Sequence, residues 1–223
     1  MNYQIIFTIL FLIGFITILF FAEFLYKKND VKSEYTRKFA HVFATLSSLS
    51  FVLIFQSHWY VLFLGLTFFF ILYIGKKNNK FKSIDSVERK TGGSYLLPIA
   101  IYIMFYISDV FDTTLYFILP ILILGISDPL AGIFGTYFKQ KTRVIKLGKH
   151  LFNKTIIGST AFFISTFFLT FITLYFFGFS IQNILILAIL ISLTDTFVEI
   201  ISSKGIDNIT VPLITFLILF LYK

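Results

Sequence analysis

Apolar runs long enough to cross a bilayer recur along this chain, and basic residues gather in every second gap between them. The runs lie near residues 3–26, 39–56, 59–75, 95–108, 115–138, 156–177, 181–201 and 211–222. A helical span needs about 20 apolar residues, so the fourth and eighth runs are short. The pattern predicts an all-α, polytopic membrane protein of about eight transmembrane helices, with seven as the alternative. Eighteen of the 19 Lys and Arg residues follow the first, third, fifth or seventh run. The positive-inside rule puts those four segments in the cytoplasm and both termini on the far side. Trp59, Tyr60, Tyr116 and Tyr175 fall near the opposite helix ends, where an aromatic belt belongs.

Composition leaves little else to build. Hydrophobic residues make up 57% of the 223, with 32 Phe, and the longest polar stretch is 76–94. Residues 1–223 therefore read as a single integral membrane domain. The start of the chain carries no Lys or Arg, and its first run outlasts a signal-peptide core, so that run reads as a retained helix. The chain has no cysteine, which removes disulfides, thiolate chemistry and Cys-based metal sites. The net charge of +8 fits topology with anionic headgroups or an anionic substrate, between which charge alone does not choose, and no nucleic-acid partner is expected.

The unusual polar clusters all fall on the cytoplasmic side: EYTRKFAH (34–41), ERKTGGS (88–94), SDPLAGIFG (127–135), KLGKHLFNKTIIGS (146–159), DTFVE (195–199) and KGIDNITVP (204–212). A carboxylate at bilayer depth costs at least about 2.5–3.5 kcal/mol, which makes Asp128 a functional candidate. Pro129 disfavours helical backbone at the residue before it. SDP therefore reads as a break, with a half-helix from Pro129 to about Phe138 whose free N–H groups suit phosphate. Ala131, Gly132 and Gly135 follow Asp128 by three, four and seven residues, a smooth face beside the carboxylate.

Other clusters carry complementary chemistry. Lys149, Lys154, Thr155, Gly158 and Ser159 resemble the ingredients of a phosphate-binding loop without Walker spacing. Asp195 and Glu199 are four apart on one helical face, where two like charges call for a cation or a shared proton. Arg37 and His41 share another face, with Lys38 alongside. Arg suits bidentate phosphate contact and His suits proton transfer near neutral pH.

Taken in order, these stretches resemble the CTP-dependent polyprenol kinase family: dolichol, phytol and farnesol kinases, with the CTP-dependent diacylglycerol kinases, themselves distant relatives of phosphatidate cytidylyltransferase. EYTRKFAH is similar to the E-x-x-R-K-x-x-H opening. Asp128, Ala131 and Gly135 match D-x-x-A-x-x-x-G. Lys154, Thr155, Gly158 and Ser159 match K-[ST]-x-E-G-[ST], and 198–212 resembles V-E-x-x-[SP]-x-G-x-D-N-x-x-x-P. The likeness covers about residues 34–223. Two positions depart from it: Ile157 stands for the glutamate of the third motif and Asn153 for a lysine.

The resemblance implies transfer of the γ-phosphoryl group of CTP, with ATP as an alternative donor, to a membrane isoprenoid alcohol at the cytoplasmic face. Asp128, Lys154 and His41 would be catalytic. Arg37, Lys38, Ala131, Gly132, Gly135, Lys149, Thr155, Gly158, Ser159 and Asn208 would bind the nucleotide. Asp128, Asp207 and Glu199 would hold Mg²⁺, with Asp195 compensating for Ile157. The alternatives are a diacylglycerol kinase, a phosphatidate cytidylyltransferase-like enzyme, and a non-catalytic lipid carrier or decayed kinase.

Overall fold

The computed structural model describes residues 3–28, 31–85, 92–138, 140, 143–147 and 150–222. The chain folds into α1 (Tyr3–Lys28), α2 (Ser33–Ser48), α3 (Phe51–Ile54), α4 (His58–Lys77), α5 (Lys82–Asp85), α6 (Gly93–Val110), α7 (Leu115–Leu122), α8 (Asp128–Tyr137), α9 (Ile156–Phe176), α10 (Ile181–Ile201) and α11 (Asp207–Tyr222). Seven segments are long and apolar enough to cross a membrane: α1, α2 with α3, α4, α6, α7 through α8, α9 and α10. The last run forms α11, a shorter apolar helix of 16 residues. The protein is an integral, multi-pass membrane protein.

Three features depart from the expected layout. The second span begins at Ser33 rather than near residue 39, so the basic motif is itself helical. It is amphipathic inside out: Thr36, Lys38, Ala40, His41, Thr45 and Ser48 are buried, while Phe43 and Leu46 are exposed on the outer face. In lipid the apolar side chains can face out, and the polar ones must find partners within the bundle.

The second departure is at Asp128–Pro129, where the helix does not break. Asp128 has helical backbone angles, φ −64° and ψ −45°, and the turn before it, Ile123–Ser127, is π-helical. In an α register the Pro129 ring would clash with the Gly125 carbonyl, and the wider turn relieves that clash. The i→i+5 register would pair the Leu124 carbonyl with residue 129, but proline has no N–H. His41 Nε2–H donates to that carbonyl instead, at 2.9 Å.

The third departure is a small antiparallel hairpin in the 146–159 region, read from the sequence as loop. Strand β1 (Val144–Leu147) pairs with β2 (His150–Thr155), Val144 opposite Thr155. It delivers Lys154 and Thr155 to the foot of α9. At the far end of α10, Lys204 (φ 57°) and Gly205 (φ 87°) adopt left-handed backbone, which turns the chain into α11. The Gly92 N–H donates to the Lys204 carbonyl at 2.7 Å, tying this turn to the start of α6.

The main core holds Phe51, Val61, Leu64, Leu97, Ile101 and Met104 with Phe117 and Ile121, and a second cluster joins α7, α9, α10 and α11.

Candidate active site

Two lysine-centred clusters line one cavity. In the first, Lys38 of α2 donates to Asp128 Oδ2 at 2.5 Å and to the Asp128 carbonyl at 3.1 Å. His41 Nε2 lies 3.9 Å from the same carboxylate. One turn away, Arg37 pairs with Glu34 at 2.8 Å, and the Arg37 Nε is buried with no hydrogen-bond partner. An orphaned guanidinium N–H beside a cavity is a donor held ready for an anion.

The second cluster joins β2, α10 and α11. Lys154 Nζ donates to Glu199 Oε1 at 2.5 Å and to Asp207 Oδ2 at 2.9 Å. The Ser159 hydroxyl, at the start of α9, reaches Glu199 Oε2 at 3.4 Å. Burial alone would lower the pKa of Lys154, but Asp207 and Glu199, with Asp128 behind them, hold it above the ordinary lysine value. One lysine for two carboxylates leaves this cluster one negative charge in excess.

The small residues between the clusters bring backbones and long side chains close. A Cβ at Gly132 would sit 2.6 Å from Lys38 Cε, so glycine there is what lets Lys38 reach Asp128. A Cβ at Gly158 would meet the Ala131 carbonyl at 2.8 Å, and one at Gly135 would meet Thr155 Oγ1 at the same distance. Ala131, Gly135 and Gly158 thus form the seam where α8 crosses α9. Thr155 caps α9, its hydroxyl accepting from the Gly158 N–H at 3.1 Å. Asn208 is spent partly on structure: its Nδ2 donates to the Gly93 carbonyl at 2.6 Å.

Both clusters open into one cavity of about 1570 Å³. Pockets for a single drug-sized ligand run about 300–1,000 Å³, so this one has room for two molecules. Among the described residues its polar end is lined by five cationic side chains (Lys32, Arg37, Lys38, Lys154, Lys204) and four acidic ones (Glu34, Asp128, Glu199, Asp207). Its other end is apolar and runs between α1, α4 and α6. Residues 2–204 match the cytidylyltransferase family. The chain belongs to that family. Membership accords with a distant relationship to phosphatidate cytidylyltransferase and the CTP-dependent kinases, and makes this a CTP-utilising lipid enzyme. No curated protein and no solved structure matches the chain.

Most of the residues singled out in the sequence line this family member's cavity: Arg37, Lys38, His41, Asp128, Ala131, Gly132, Gly135, Lys154, Thr155, Gly158, Ser159, Glu199, Asp207 and Asn208. Lys149 lies outside the described residues. Asp195 does not line the cavity: it is fully buried and accepts the Thr215 hydroxyl of α11 at 2.6 Å. Spacing of four put it on the Glu199 face, but one turn deeper the helices have closed. Lys32, Thr136, Gln140 and Lys204 also line the mouth. Lys204 opens one of the polar clusters, while Lys32 and Gln140 have no signal beyond a place in the basic segments and Thr136 none beyond the end of an apolar run.

Among the described residues no group of three or more His, Cys, Asp or Glu side chains converges on a metal position. Mg²⁺ usually takes one or two protein carboxylates and draws its other ligands from phosphate and water. The hard oxygens of Asp128, Glu199 and Asp207 fit an ion that arrives with a nucleotide, and they do not form a protein-only cage.

Proposed function

We propose that this protein transfers the γ-phosphoryl group of CTP to the hydroxyl of a membrane isoprenoid alcohol, at the cytoplasmic face. One observation carries the reading: a single cavity joins a charged, hydrogen-bonding end to an apolar channel. Such a cavity suits a water-soluble anion and an amphiphile meeting at their polar groups. Among the described residues, Lys32, Arg37 and Lys38, Lys154, and Lys204, from three of the four basic segments, line the charged end, and the positive-inside rule turns that end toward the cytoplasm, where nucleotide is available.

Phosphoryl transfer asks a protein mainly for positioning and charge neutralisation. Lys38, Arg37 and Lys154 supply the positive charge. The Arg37 Nε–H, unpartnered and buried, is one donor to a phosphate oxygen, and Thr155 and Ser159 orient the phosphates from the foot of α9. Mg²⁺ carried on the triphosphate would be held by one or two of Asp128, Glu199 and Asp207 and would screen the charge that develops on the leaving diphosphate. The alcohol oxygen forms the new bond to the γ-phosphorus as the bond to the β–γ bridging oxygen breaks and CDP departs. The hydroxyl proton passes to Asp128 or to His41, whose Nε2–H is committed to Leu124, leaving Nδ1 as the accepting atom.

A second reading follows from the family itself: the same phosphate-binding groups serve transfer of CMP to a phospholipid, with loss of pyrophosphate. Purified protein given CTP labelled in either the γ- or the α-phosphate, with isoprenoid alcohols, diacylglycerol or phosphatidate, separates the two. Lipid labelled from the γ-position supports the kinase, and lipid labelled from the α-position replaces it with a cytidylyltransferase. Label from neither position points to a carrier.

A further inference from the structure

The apolar end of the cavity is a channel with a floor. Its walls come from Phe15, Ile18 and Leu19 of α1, from Leu72, Phe68 and Leu64 down to Val61 of α4, and from Leu97 and Ile101 of α6. Each helix presents one stripe at three- and four-residue spacing, so the bore is a single stripe wide on each side. The deep end meets Phe51, Val61, Leu64 and Ile101, all buried members of the main core. From Leu72 to Val61 is about 16 Å of helix. That wall matches one leaflet, half of the roughly 30 Å hydrocarbon core.

We infer that this channel selects its acceptor by length: it takes a single-tailed alcohol about one leaflet long, draws the tail inside the bundle, and stops it at Phe51 and Val61. The inference rests on the lipid-alcohol reading above and narrows it. Farnesol- and phytol-sized tails fit. A long polyprenol has nowhere to place its remaining units, and diacylglycerol brings a second tail that a bore one stripe wide does not admit. Apolar walls reward a tail that fills them by about 25 cal/mol for each Å² removed from water. Against bilayer lipid that reward vanishes, so selection falls to shape and to the closed end.

The absence of cysteine from the chain makes the floor testable. In the full-length Val61→Cys protein, the new thiol is reached through the cavity, and its reaction with a small maleimide reports whether the deep end is filled. Phytol at ten times its Kd slows labelling about 10-fold, farnesol less, and geraniol, long polyprenol and diacylglycerol leave it unchanged. Leu64→Cys repeats the measurement one turn nearer the polar end, where geraniol begins to protect. Leu53→Cys, at a residue 85% exposed on the outer face of α3, is indifferent to all of them. Protection that does not vary with tail length, or a Val61→Cys thiol that fails to react with the cavity empty, overturns the inference. Nucleotide label is followed in parallel: length-graded protection without transfer of γ-label to any alcohol would keep the channel and discard the kinase.

Discussion

The two lysine clusters use the same side chains in different proportions. Lys38 faces one carboxylate, Asp128, and is neutralised by it. Lys154 faces two, Glu199 and Asp207, so its cluster carries a surplus negative charge. On the proposed reading the balanced cluster receives phosphate, with Arg37 next to Lys38 in the chain and its Nε unpartnered. The acidic cluster can give up one carboxylate oxygen to a cation and keep Lys154 paired. Under the proposed function a triphosphate with its Mg²⁺ uses both kinds of surface, which open into one cavity.

Removing a member of either cluster has the largest expected effect. Asp128→Ala and Lys154→Ala each lose at least about 100-fold in turnover while still inserting in the membrane, read from labelled-CTP transfer and membrane fractionation. Near-native activity in either would break the pairing of that cluster with the chemistry.

Stability then sharpens the difference. Asp128→Asn strands a buried Lys38, a loss of about 3–5 kcal/mol by analogy with other broken buried pairs. Asp207→Asn leaves Lys154 on Glu199 and costs clearly less. Thermal unfolding in one detergent checks the order, and equal losses would show that the two clusters are not unlike after all. In turnover assays Asp207→Asn should also raise the Mg²⁺ concentration needed for half-maximal rate, a change Arg37→Gln does not produce.

The acidic cluster sets an alkaline limit as well. Lys154 titrates above its unfolded value near 10.4, so its contribution is complete below that pH and is lost as pH rises through the higher folded value. The stability gap between the wild type and Lys154→Met is therefore flat from pH 7 to about 10 and closes above it. A gap already closing at pH 8 would contradict the pairing. The smallest effect belongs to the cap: Thr155→Val loses about 1 kcal/mol, and Thr155→Ser recovers most of it.

Much of this arrangement was legible from the sequence because membrane burial makes polar residues conspicuous. Apolar runs gave the spans, and the one-sided placement of Arg37, Lys38, Asp128, Lys154, Glu199 and Asp207 pointed to one convergent site. Other features depend on packing that spacing does not encode. Pro129 signals an interrupted helix, but only the neighbouring His41, able to take the Leu124 carbonyl, makes a π-turn workable in place of a break. Asp195 and Glu199 share a face by periodicity, yet the bundle closes between them and hands Asp195 to Thr215. Asn208 looked like a phosphate ligand and also fastens α11 to Gly93. The hairpin is not legible because its strands, of four and six residues, are too short to show a clear alternating pattern.

The claim on which the rest depends is that one nucleotide spans both clusters, and equilibrium binding of CTP with Mg²⁺ to the purified protein tests it most directly. Wild-type protein should bind CTP and melt at a higher temperature in its presence, while Lys38→Met and Lys154→Met each lose most of the binding and most of the shift. If both variants hold CTP as tightly as the wild type, the nucleotide sits elsewhere and the account fails.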